Sequence, residues 1–81
     1  VLACYYIPDF IIHCRSGKIY VEAKGYFRPE HKRKMRAVKL QHPELDIRIL
    51  LYSKSKQNIK WCDRYGFKYA IYDIPTEWYY E

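Results

Sequence analysis

Apolar and polar positions along this 81-residue chain fall into short blocks whose period changes from two to nearly four. Residues 6–14 (YIPDFIIHC) are β-branched and aromatic and predict a strand, with Pro8 where a strand start or an edge tolerates it. Arg15-Ser16-Gly17 signals a turn, and residues 18–24 (KIYVEAK) alternate as the second strand of a hairpin ending at Gly25. Pro29 opens a helix where its missing N–H is harmless, Glu30 suits the first turn, and the helix runs to about Gln41, ahead of Pro43. Its apolar contacts are Met35, Val38 and Leu40. Residues 46–52 (DIRILLY) carry few polar positions, as in a strand covered on both faces. Residues 54–65 read as a second helix presenting Ile59, Trp61, Cys62 and Tyr65, with Gly66 as its stop. Residues 67–73 (FKYAIYD) make a fourth strand, and Pro75 begins a short last turn in which Trp78 anchors against the sheet. The order β-β-α-β-α-β predicts one α/β domain over residues 1–81, a mixed sheet with helices packed on it.

Composition narrows the class. An apolar fraction of 49% with ten tyrosines is too rich for a disordered tail, and no apolar run approaches the roughly 20 residues that span a bilayer. No signal peptide is visible. The three cysteines, Cys4, Cys14 and Cys62, form no CxxC pair and read as reduced thiols; His13-Cys14 has no second pair with which to complete a metal site.

Charge changes the picture more. The net charge is +6, and residues 24–39 hold seven basic side chains and one acidic, which is the whole excess. A concentrated basic stretch on a neutral body suits a polyanion, although a charge run by itself is most often a solvated helix face. Lys32, Arg33 and Arg36 are placed to grip a phosphate backbone, with Arg28 and Lys39 at the two ends of the same stretch.

The hairpin holds the chemistry. Glu22 and Lys24 are two apart on one strand and point to one face, while Ile19, Val21 and Ala23 point to the other. A turn centred near Ser16 or Gly17 sets Asp9 across from residue 22 or 24. Two carboxylates then meet one ammonium. Such a pair holds Mg²⁺, with the Ala23 backbone carbonyl as a further oxygen ligand. The ion acidifies water and offsets charge on a phosphodiester. Lys24 orients or deprotonates that water, or stabilises the phosphate in the transition state. The bland reading is an exposed salt bridge from Lys24 to Asp9 or Glu22, contributing about 0–1 kcal/mol.

Several stretches together resemble the phage endonuclease I family of T7-type junction-resolving enzymes, within the PD-(D/E)xK nucleases. They are Tyr6-Ile7-Pro8-Asp9-Phe10, Val21-Glu22-Ala23-Lys24-Gly25, residues 41–49 (QHPELDIRI), residues 65–70 (YGFKYA) and residues 74–78 (IPTEW). The resemblance covers nearly the whole chain. It implies a restriction-endonuclease-like fold, with Asp9 and Glu22 as metal ligands, Lys24 as the catalytic lysine, and Mg²⁺ (or Mn²⁺) as cofactor. It also implies a homodimer cutting two strands of a branched, four-way DNA junction in the cytoplasm of an infected host. Family members carry an N-terminal segment that supplies another catalytic glutamate. Only eight residues precede Asp9, so that segment is expected to be lacking.

Two competing functions remain at this stage. One is another PD-(D/E)xK nuclease, such as a transposon-end or repair nickase. The other is a DNA-binding or dimerisation module with an incomplete site. His31 and His42 read as surface or capping residues, and Tyr20, Tyr69 and Tyr72 as core or interface.

Overall fold

A computed structural model describes residues 6–81. Four strands form one sheet in the order β1-β2-β3-β4: β1 (Phe10–Cys14), β2 (Gly17–Lys24), β3 (Asp46–Leu51) and β4 (Lys68–Ile71). The first pair is antiparallel and the next two are parallel. Helices α1 (Pro29–Gln41) and α2 (Lys56–Tyr65) make the two parallel crossovers, and a 3-10 turn (Thr76–Tyr80) follows β4. The predicted order and mixed α/β class therefore hold.

Each strand sorts its side chains by alternation. On β3, Ile47, Ile49 and Leu51 enter a core with Met35 and Val38 of α1, Cys62 of α2, Phe27 and Phe67. Two successive crossovers in one direction put both helices on that face. Ile12, Ile19, Val21, Leu50 and Ala70 form a smaller core on the other face, closed by Trp78 of the 3-10 turn. Covered on both faces, β3 is buried from Ile47 to Leu51.

Local chemistry sets the element ends. Pro29 occupies the first turn of α1. Ser55 caps α2 by accepting from the Asn58 amide at 3.3 Å, and Gly66 closes that helix at φ 77°, the left-handed conformation that glycine adopts without a Cβ clash.

Leu40, expected in the core, lies elsewhere, and Tyr72, expected in the core or an interface, lies outside the core. Leu40 is 78% exposed, because it sits on the far side of α1 from Met35 and Val38. Tyr72 is exposed because its φ of 70° ends β4 at Ile71 and turns the chain out of the sheet. The first strand is also shorter than the apolar run suggests, starting at Phe10. Of the cysteines, Cys14 and Cys62 are free thiols, and Cys4 lies outside the described residues.

Candidate active site

Lys24 ends β2, and α1 begins four residues after Gly25, so the carboxyl end of β2 and the amino end of α1 lie at the same end of the molecule. Tyr20, Glu22 and Lys24 share the helix-side face of β2, while Ile19, Val21 and Ala23 belong to the opposite face. The antiparallel register pairs Phe10 with Val21. Continued by one residue it sets Asp9 opposite Glu22, the first of the two expected placements.

The chain leaves the ladder at this point. The Lys24 carbonyl accepts the Tyr52 amide at 3.1 Å on the β3 side, so the Ala23 amide and carbonyl turn toward β1. In a continued ladder Ala23 would exchange two hydrogen bonds with residue 8. Residue 8 is proline, which has no N–H to give the Ala23 carbonyl. The Ala23 amide donates instead to Asp9 Oδ2 at 2.8 Å. Pro8 and Asp9 thus end the strand together: the proline withholds the ladder donor that the Ala23 carbonyl would take, and the aspartate is pinned beside that carbonyl.

Glu22 is 9% exposed. Its Oε2 lies 3.1 Å from Lys24 Nζ, with the two side chains 12% and 16% exposed, so the pair is not the exposed surface bridge that the bland reading requires. Glu22 Oε1 is buried and has no hydrogen-bond partner. A buried unpaired acceptor is unfavourable by about 1–3 kcal/mol, so this arrangement does not serve stability. Beside it lies Tyr6, absent from the sequence-based site. Its phenol is pushed well above the ordinary tyrosine range, first by burial and then by the charges of Glu22 and Asp9. Tyr6 Oη is likewise buried and has no partner at full hydrogen-bonding distance, although a looser side-chain hydrogen bond to Glu22 also helps to raise its pKa. The signal available in sequence was an aromatic residue two positions before Pro8.

The donor types suit a hard divalent cation: an Asp9 carboxylate, a Glu22 oxygen with no other partner, and the Ala23 backbone carbonyl turned toward β1. Among the described residues no three His, Cys, Asp or Glu side chains come together, so a third protein ligand there would be the Ala23 carbonyl.

The basic residues divide. Arg28 precedes α1, near Tyr26, 4.0 Å from Glu30. Arg33 is exposed with no ion pair among the described residues. Lys32, Arg36 and Lys39 lean over Phe27, Tyr65 and Phe67 at 5.5, 4.1 and 4.6 Å. Lys39 also donates to the Gly66 carbonyl at 3.0 Å and so braces the end of α2. His42 caps α1 and approaches Glu44 at 3.5 Å, as expected of it. His31 is half-buried and its Nδ1 has neither solvent nor a partner, so it is not the surface residue its neighbours suggest.

A family model described as Phage endonuclease I matches residues 3–81. The chain belongs to the phage endonuclease I family. It is 36% identical over 81 residues to Endonuclease I of Escherichia phage T7, an alignment covering 90% of this chain and 52% of that protein. It is 33% identical over 80 residues to Endodeoxyribonuclease 1 of Enterobacteria phage T3, covering 88% of this chain and 50% of that one. The chain spans about half the length of these two relatives.

Proposed function

We propose that this phage endonuclease I chain carries the metal-binding face of a Mg²⁺-dependent DNA endonuclease that hydrolyses phosphodiesters in branched DNA, four-way junctions above all. The observation that supports this most is the strand end at Pro8-Asp9. Asp9 accepts there from the Ala23 amide, the neighbouring residue Glu22 keeps one oxygen unpaired, and Lys24 holds the other. The endonuclease names of the two relatives agree with it.

Asp9, Glu22 and the Ala23 carbonyl would hold Mg²⁺, or Mn²⁺ in its place. When bound, the ion supplies Lewis-acid polarisation of the phosphate and lowers the pKa of a water. The residues do the rest. The Ala23 amide holds the exposed Asp9 carboxylate at the strand end. Lys24, tied to Glu22 Oε2, presents an ammonium where negative charge develops on phosphorus-bound oxygens. A water oxygen attacks phosphorus, the bond to the leaving sugar oxygen breaks, and the proton released from the water balances the alkoxide. Arg28, Lys32, Arg33 and Arg36 would hold backbone phosphates without reading bases. Two copies, one per strand, would cut the junction inside an infected host. No helix among the described residues is long and apolar enough to cross a membrane.

Cleavage of a four-way junction and of a linear duplex, with Mg²⁺ and with EDTA, tests the reading. Metal-dependent cleavage of the junction in preference to duplex is expected. Equal cleavage of both would favour a general PD-(D/E)xK nuclease. A second reading, a catalytically incomplete DNA-binding or dimerisation module, is favoured by the finding that no three metal-ligating side chains come together among the described residues. Metal-independent junction binding without any cleavage would select it.

A further inference from the structure

Two of the buried polar atoms without partners, a donor and an acceptor, lie at the same strand end: Tyr6 Oη and Glu22 Oε1. We propose that Tyr6 is a positioning residue, its phenol donating to Glu22 Oε1 and fixing the carboxylate beside Asp9. The inference rests on the metal-site reading above and adds a residue to it.

The two groups are neighbours. Tyr6 packs against the helix-side core, which also takes Tyr20, two residues from Glu22 on the same face. Glu22 and Asp9 both lie near enough to act on the phenol, and the contact with Glu22 includes a side-chain hydrogen bond. A neutral phenol has one proton to donate, and Glu22 Oε1 has no other donor within reach.

The consequence is specific to Glu22. Lys24 anchors only Oε2. A carboxylate held at one oxygen can still swing about its terminal torsion. A donor on the second oxygen stops that motion and leaves Oε1 another lone pair for a cation. Carboxylate ligands in metal sites are commonly oriented by outer hydrogen bonds of this kind, whose loss weakens metal binding about 10–100-fold.

Two measurements on the 81-residue chain test the assignment. The first is the Glu22 carboxyl ¹³C resonance at neutral pH without metal, in wild type and Tyr6→Phe. The second is Mn²⁺ affinity by calorimetry for wild type, Tyr6→Phe, Glu22→Gln and the double variant, with near-UV circular dichroism confirming folding. We expect the Glu22 resonance to move in Tyr6→Phe. We also expect Tyr6→Phe to weaken Mn²⁺ binding about tenfold when Glu22 is present, and to cause no further change in the Glu22→Gln background. An unmoved Glu22 resonance, or the same Mn²⁺ loss in both backgrounds, overturns the proposal. If wild type takes up no Mn²⁺, the metal reading fails by itself, and the carboxyl resonance still decides whether Tyr6 holds Glu22.

Discussion

The sheet carries two partly buried charge clusters, and they are built in opposite ways. At Arg48, 1% exposed on β3, four hydrogen bonds of 2.6–3.0 Å run to the carboxylates of Asp46 and Glu81, and the guanidinium lies 4.9 Å from the Trp78 ring. Both carboxylates meet it as bidentate forks, the geometry in which arginine is strongest. At Glu22 the carboxylate meets Lys24 through one oxygen only, and the other has no closer partner than a loose approach of the Tyr6 phenol. One cluster is complete in the folded chain and fastens the C-terminal turn to the sheet. The other is left short of partners, which stability alone does not select; it is arranged for something that binds.

Substitutions at the two clusters should therefore fail in different assays. The largest separation is expected from Lys24→Ala and Asp9→Ala. Each should reduce junction cleavage about 10²–10³-fold or more while junction binding changes little. Undiminished turnover in either would take that residue out of the site. Arg48→Ala should do the reverse. It removes a fully buried side chain and its contact with Trp78, and should lower stability by about 2–5 kcal/mol in urea titrations. A variant as stable as wild type would mean that Trp78 is held by apolar packing alone.

The Arg48 cluster also has a pH signature. Its hydrogen bonds hold the Glu81 carboxyl below the usual glutamate range. A lowered folded pKa gives stability that is present above the ordinary carboxylate range and lost as pH falls through the folded value. Glu81→Gln should thus lower the melting temperature at neutral pH and make it less sensitive to acid. Parallel acid melting curves for the two proteins would contradict this.

Smaller effects sharpen the picture of the basic helix. Arg33→Ala and Arg36→Ala should each reduce the slope of log affinity against log salt by about 1, the loss of one phosphate contact. Lys39→Ala should change the slope less and stability more, because its ammonium already serves the Gly66 carbonyl. The smallest test concerns the thiols. Burial pushes the Cys62 thiol up to about 11, with Asp63 adding to the shift. In a Cys4→Ser background at pH 8, one equivalent of disulfide reagent should react, at Cys14, and none at Cys62 in the native state. Rapid loss of both thiols would show that α2 opens readily.

The order of elements, the turn at Gly17 and the helix ends at Pro29 and Gly66 were legible in sequence because each is a local preference of backbone and side-chain period. So was the grouping of Glu22 with Lys24, since strand alternation alone puts residues two apart on one face. The expected position of Leu40 went astray, and Tyr72 stayed outside the core, for a related reason. Apolar character says that a residue is suited to a core, while its angular position on α1, or one left-handed φ at the end of β4, decides whether it reaches one. Pattern could not show that Pro8 deprives Ala23 of its ladder donor, because that depends on which strand each peptide of β2 faces. Nor could it find Tyr6, whose neighbourhood with Glu22 arises only when the hairpin closes beneath the helices. It was equally silent on Arg48, which stood with Asp46 in an otherwise apolar strand until the chain from Trp78 to Glu81 was laid across it. Local periodicity acts over a few residues and is written along the chain. Pairings between residues 6 and 22, or 48 and 81, depend on register and layer packing, and these are settled only by burial of the whole sheet.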